Sequence, residues 1–159
     1  MATTIQKITP FLWFDKEAGA AANYYTAIFP NSKIVSAETI TDTPSGTVEI
    51  YSIELSGQRF SLMSAGPYFK ITEAISFVID CEDQSEVDYY WEKLCADGGE
   101  EGQCGWLKDK FGVSWQVVPR RFNELMADND SEKVGRVTQA MLTMNKLIIA
   151  DLEKAYHGS

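Results

Sequence analysis

The sequence is short of histidine: it has one, His157, near the end of 159 residues. A Ser-His-Asp arrangement, a Cys-His pair and imidazole-rich metal centres are therefore excluded from the interior of the chain. His157 sits in a terminal His-Gly-Ser and reads as solvated and inert. Cysteine is also scarce. Cys81, Cys95 and Cys104 are odd in number and form no C-x-x-C pair, so reduced thiols in a cytoplasm are expected. Cys104 has no histidine to activate it as a nucleophile. Positive charge is in deficit: 14 Lys+Arg against 23 Asp+Glu leave a net charge of −9. A net anion is repelled by phosphate backbones and by anionic membrane surfaces, so neither nucleic acid nor membrane is an expected partner. No apolar run reaches the ~18–20 residues of a membrane span. The stretch Met1-Ala2-Thr3-Thr4-Ile5-Gln6-Lys7 lacks the apolar segment of a secretory signal.

What is present is ordinary globular composition, 45% apolar and 23% charged. A chain of this length buries about 70% of its unfolded surface and needs no disulfide or metal to hold a core. Ile8 to Phe14 is a short aromatic run, read as a strand buried on both faces. Asp15 then caps a helix whose stripe is Ala18, Ala21, Ala22, Tyr25, Ile28 and Phe29. Three strand patterns follow, Lys33 to Ile40, Thr47 to Leu55 and Gln58 to Ser64, separated by Asp42–Gly46 and Ser56-Gly57 turns. The order β-α-β-β-β then restarts. Glu73 to Asp80 reads as a strand, and Asp83 with Glu86 forms a capping-box analogue. Val87, Tyr90, Trp91, Leu94 and Cys95 make a helical stripe ended by Asp97-Gly98-Gly99. Weaker strands lie near Gly102–Leu107 and Val113–Val118.

A shift of 65 superimposes the halves. Leu12 meets Phe77, Phe14 meets Ile79, Asp15 meets Asp80, and Tyr24-Tyr25 meets Tyr89-Tyr90. A strand, an aspartate and a helix face in one register argue for an internal duplication. The expected architecture is α+β: tandem βαβββ modules at 5–66 and 71–119, forming curved mixed sheets, with a helical tail over 120–159. In the tail, Arg120 to Met126 makes one or two turns, and Ser131 caps a helix through Val134, Val137, Met141 and Met144. No Gly/Pro/Ser-rich linker divides the chain, so 1–159 is taken as one domain.

The tandem pattern resembles the vicinal oxygen chelate superfamily of glyoxalase I, bleomycin-resistance proteins and extradiol dioxygenases. Three segments resemble its PhnB-like branch, often labelled demethylubiquinone methyltransferase: Ile8 to Asp15, Ala22 to Ser32, and Gly105 to Pro119. The resemblance is expected to run over nearly the whole chain, the Met141-to-Tyr156 tail included. It implies a divalent metal in a cup of sheet, held by His or Glu from both repeats. The implied positions fall near Thr9–Phe11, Ser61–Met63, Ala74 and Gln116. None offers an ionised or imidazole ligand, so no metal and no cofactor are expected. S-adenosylmethionine enzymes of the usual kind need a glycine-rich strand-to-helix turn; no G-x-G-x-x-G occurs, and Gly98-Gly99 reads as a helix end.

The candidate pocket residues are Trp13, Tyr51, Ser61, Met63, Trp106, Trp115 and Gln116. Tryptophans can floor a pocket by stacking on a flat ligand, or equally fill a core. Gln116 can bond a ligand, or satisfy a neighbouring backbone group. Tyr51 offers a phenol, which donates a hydrogen bond at neutral pH. Asp109 reads as a turn former. Three functional readings stand: a metal-free homodimer binding a small aromatic or polar metabolite, a metal-independent enzyme using Gln116 and the tryptophans, and a structural or regulatory partner. The resemblance implies that two modules, often from different chains, complete each cup. The tail residues Met141, Met144, Leu147, Ile148 and Leu152 are expected to present an apolar stripe needing a partner surface.

Overall fold

Residues 5–159 are described by the computed structural model, so Met1 to Thr4 of the N-terminal stretch lie outside the described residues. The chain divides into two compact units, one ending at Ile71 and the other Thr72–Ser159, and the helical tail belongs to the second. Each unit carries one four-stranded mixed sheet.

The first unit runs β1 (Phe11–Phe14), α1 (Ala18–Ile28), β2 (Lys33–Thr43), β3 (Gly46–Leu55) and β4 (Gln58–Ser64). The sheet order is β1-β4-β3-β2, with β1 parallel to β4 and the other pairs antiparallel. Side chains alternate across a strand, so the register sorts them into two faces. Phe14, Tyr51, Ile53, Phe60 and Leu62 share the face that α1 covers with Ala18, Ala21, Ala22, Tyr25 and Ile28. Ile53 and Leu62 are fully buried there, each burial favouring the fold by about 1.5–3 kcal/mol. Gly19 lets the helix approach: a Cβ on it would lie 2.8 Å from the Tyr51 hydroxyl. Phe11, Trp13, Ser61 and Met63 share the opposite face. The reading of Ile8–Phe14 as a strand buried on both faces is corrected. Only four residues are strand, Phe11 is 54% exposed, and nothing within this unit's own sheet or helix covers that side. Strand β2 is an edge strand of 11 residues, exposed on both faces up to Thr43.

Asp15 does not cap α1. Glu17 occupies the cap position without a side-chain capping bond, and the Ala18 N–H donates to Ser64 Oγ at 2.9 Å. Ala18 is fully buried, so its amide needs a protein acceptor, and β4 supplies one.

The second unit repeats the plan: β5 (Ser76–Cys81), α2 (Gln84–Cys95), a 3₁₀ turn (Ala96–Gly98), β6 (Glu100–Glu101), β7 (Trp106–Lys108) and β8 (Ser114–Pro119). Its order, β5-β8-β7-β6, again has the first strand parallel to the last. Tyr25 and Tyr90 are both buried beneath their helices, each beside a tyrosine neighbour at 5.4 and 5.1 Å. Asp83 caps α2 as expected, accepting from the Glu86 N–H at 2.9 Å. Glu86 returns the bond to the Glu82 N–H at 2.6 Å. Strand β6, only Glu100–Glu101, falls outside the two weak strands read from the sequence.

The tail folds as α3 (Arg120–Met126), α4 (Ser131–Leu142) and α5 (Ile149–His157). The cap of α4 is Asp130, which accepts from the Glu132 and Lys133 N–H groups; Ser131 is already helical. Leu125, Val137, Leu147 and Leu152 form a buried cluster, with Met141, Met144 and Tyr156 packed on it. The apolar stripe expected to need a partner is thus largely covered by the tail itself. Arg136 donates to the Ala155 and Tyr156 carbonyls at 2.9 and 2.8 Å, closing the C-terminus of α5. No helix among the described residues is long and apolar enough to cross a membrane.

Candidate functional site

Two sheet faces turn away from their helices, one in each unit, and they carry different chemistry. In the first unit, Trp13, Ser61 and Met63 meet as neighbours across the parallel β1–β4 ladder. The Trp13 indole donates to the Gly66 carbonyl at 2.8 Å and meets the exposed Phe69 ring edge-on at 5.0 Å. This face offers an aromatic wall, a hydroxyl and a thioether. Tyr51 is not part of it; it points to α1.

In the second unit, Ser76, Val78, Trp106, Lys108, Ser114 and Gln116 share the face away from α2. Gln116 is half-buried, with Val78 beside it on β5 and Trp106 beside it on β7. Its side-chain amide donates to Ser76 Oγ at 2.9 Å, not to a backbone group. That bond fixes the amide plane and leaves the amide oxygen to accept from a ligand. A cavity of about 220 Å³ opens beside Trp106, lined by Trp106, Lys108 and Ser114 with Glu73, Glu100 and Glu101, and Gln116 is not part of its lining. Lys108 lies 3.5 Å from Glu73. A backbone N–H and then Lys108 keep the Glu73 carboxyl below its ordinary range.

Trp115 falls on the helix side. It is 3% exposed, and its indole donates to Asp109 Oδ2 at 2.9 Å. Asp109 Oδ1 also accepts from the Phe111 and Val113 N–H groups, so it forms the turn expected of it. Cys81 is buried; desolvation, aided by nearby carboxylates, pushes its thiol up to about 12. Burial raises Cys95 to about 11. Neither is a ready nucleophile.

The position equivalent to Phe11 in the second sheet is Ser76, because Phe11 pairs with Ser61 and Ser76 with Ser114. Ala74 lies before β5, in a turn, so the implied third ligand position moves to Ser76. The shift of 65 already contained this, since it sets Ser76 under Phe11 and Val78 under Trp13. The corresponding positions are then Phe11, Ser61 and Met63 on the first sheet, and Ser76 and Gln116 on the second. These are neutral hydroxyls, a thioether and an amide, a donor set that does not fit a tightly bound divalent cation. Among the described residues no three His, Cys, Asp or Glu side chains group to hold a metal. The strand-to-helix turns, Asp15-Lys16-Glu17 and Glu82-Asp83, contain no glycine and form no phosphate- or nucleoside-cradling loop.

The family model for 3-demethylubiquinone-9 3-methyltransferase matches residues 6–118. A PhnB protein from Bacillus cereus is 32% identical, with a TM-score of 0.64 over 72% of this chain and 99% of that one. A fosfomycin resistance protein, FosX, from Listeria monocytogenes, complexed with Mn(II) and sulfate, is 16% identical. Its TM-score is 0.52, over 72% of this chain and 92% of that one. A glyoxalase family protein from Bacillus cereus is 13% identical, with a TM-score of 0.54 over 75% and 97%. These last two show likeness of fold. No curated protein matches the chain. The family match stops at 118, so the likeness expected over the tail is corrected: α3 to α5 lie beyond it. A repeated βαβββ plan, a match across both repeats and a PhnB protein one-third identical agree: the chain belongs to the 3-demethylubiquinone-9 3-methyltransferase family, the PhnB-like branch of the vicinal oxygen chelate fold.

Proposed function

We propose that this protein binds a small, partly aromatic molecule without a metal, as a homodimer, and that the helix-free face of the second sheet is its ligand surface. The observation that carries this is Gln116: half-buried, oriented by Ser76, and paired across the strands with Trp106, which itself lines a cavity. An indole wall beside a fixed amide is a common way to hold a planar polar ligand. Trp13, Ser61 and Met63 offer a second, more apolar surface of the same kind. The family's methyltransferase description is set aside, because neither strand-to-helix turn can cradle S-adenosylmethionine in the usual way.

A second copy of the chain is the natural cover for what remains exposed. Strand β2 leaves a long backbone edge unpaired and carries Ile34, Val35 and Ile40 in water, and Phe11 is half-exposed. Such edges are normally blunted or paired. Free cysteines and the acidic charge support a cytoplasmic protein that avoids nucleic acid.

Native mass spectrometry before and after small-molecule extraction tests the proposal. A dimer that loses a discrete small mass, and regains it from the extract with wild-type but not Trp106→Ala protein, is expected. A mass unchanged by extraction, with no uptake from the extract, overturns it. Turnover of a screened substrate that survives chelator treatment would make the same face an active site.

A further inference from the structure

The tail meets the second sheet through the segment between α4 and α5. The Met144 carbonyl accepts from the Cys104 N–H at 2.8 Å, and the Asn145 carbonyl accepts from the Gly105 N–H at 2.7 Å. On the other side of this segment, Gln84 of α2 bonds it twice. Its Nε2 donates to the Leu147 carbonyl at 3.1 Å, and its Oε1 accepts from the Ile149 N–H at 2.8 Å. Lys146 pairs with Asp88 at 2.8 Å.

Leu147 links this clasp to the tail's interior. It is 1% exposed and belongs to the buried cluster with Leu125, Val137 and Leu152. It also fills the space at Gly105, where a Cβ would lie 3.2 Å from its side chain and 3.1 Å from the Val117 carbonyl. Gly105 adopts φ +83°, a conformation that favours glycine. Its carbonyl accepts from the Val117 N–H of β8 at 2.8 Å. Residues 104 and 105 are thereby held by the tail on one side and by β8 on the other. The next residue is Trp106, and Trp106 pairs with Gln116.

The local sheet gives this loop little help. Strand β6 has two residues and β7 three, against 11 and 10 in β2 and β3. Ladders that short are marginal by themselves. The outside support comes from a segment that the family match does not reach.

We infer that the C-terminal helices position the ligand surface, with Leu147 and Gln84 as positioning residues that hold the Cys104-Gly105 loop and, through it, Trp106 beside Gln116. This rests on the reading of that face as the ligand surface, but its test needs no ligand. The full chain, labelled with ¹⁵N, is compared with Leu147→Ala, Leu147→Met and Gln84→Ala. In Leu147→Ala and Gln84→Ala, the Cys104 and Gly105 amides should exchange about tenfold faster or more. The Trp106 indole and Gln116 side-chain amide signals should shift or broaden with them. The Trp13 indole, in the other unit, should stay in place and report that the chain is folded. Leu147→Met, which keeps the volume, should restore the wild-type spectrum. Gln84→Ala removes the two clasp bonds without opening the core, so it carries the test if Leu147→Ala does not fold. Faster exchange at 104 and 105 with unmoved Trp106 and Gln116 signals overturns the inference, as does unchanged exchange. Its failure leaves the extraction experiment untouched, and a negative extraction experiment leaves these spectra unaffected.

Discussion

At the residue scale the two aromatic neighbours of the last strands separate cleanly. Trp106 pairs with Gln116 on the helix-free face, and Trp115 pairs with Leu107 on the helix side. Alternation makes their opposite orientation legible in the sequence, but which face the helix covers is decided by tertiary packing. The same holds for Tyr51, which reads as a pocket phenol and lies against Gly19. Gln116 was legible through the family resemblance, which sets it at an implied ligand position; its partner Ser76 was not, because a lone serine at a strand start carries no signal. Gln116→Ala removes one hydrogen bond of a half-buried amide. It should cost about 1 kcal/mol in urea unfolding while ligand retention is lost. A cost of about 2 kcal/mol or more with retention intact would make the amide structural. Asp109 behaves oppositely. It satisfies two backbone N–H groups and the Trp115 indole at 3% exposure. Asp109→Ala removes a buried acceptor from all three, and a loss of about 3 kcal/mol or more is expected, with a changed near-ultraviolet tryptophan signal.

At the element scale, the helix starts show where local sequence rules suffice. Asp83 and Glu86 obey the capping-box spacing, and α2 begins where they place it. Asp15 has the right chemistry at the head of α1, yet the acceptor for the Ala18 N–H is Ser64, 46 residues from Ala18. No local pattern contains that. Ser64→Ala should therefore destabilise the protein by about 1 kcal/mol, and Asp15→Ala by a few tenths at most, by urea midpoint. Equal costs for the two would restore Asp15 as the cap. The aspartates matched by the duplication have different roles. Asp80 sits within β5 and pairs with Arg120 at 2.8 Å, while Asp15 follows β1. Strands β3 and β4 were legible to within a residue because their apolar alternation is strong. The two-residue β6, Glu-Glu in a turn-rich stretch, was not, because its strand character comes from pairing with β7 alone.

At the scale of the whole molecule, charge is unevenly shared. The unit Thr72–Ser159 holds 17 acidic and nine basic side chains; the rest of the chain holds six and five. Its carboxylates are stabilised in the ionised form at three places. Lys146 and Gln84 lower Asp88, the Tyr156 hydroxyl and the Asp130 N–H lower Asp128, and a backbone N–H and Lys108 lower Glu73. A folded-state value below the unfolded one adds stability that is present above the ordinary carboxylate range and lost as pH falls through the lowered value. Acid unfolding monitored by α5 and Trp106 signals should thus begin below about pH 4, and Asp128→Asn should flatten the slope. Light scattering at micromolar concentration should report a two-fold dimer, and a mass near 17.8 kDa would refute it. The strand order also sets a sequence of events at the ribosome. The first sheet has all four strands once Ser64 has emerged, and its parallel closure spans Phe11 to Ser61. The second must wait for Pro119, and the clasp that steadies it waits for Leu152. Synthesis of the intervening residues takes roughly 4–18 s at ordinary elongation rates. Throughout that interval the nascent chain trails a finished sheet with its longest edge bare, the period in which a neighbouring nascent chain or a chaperone meets β2 first.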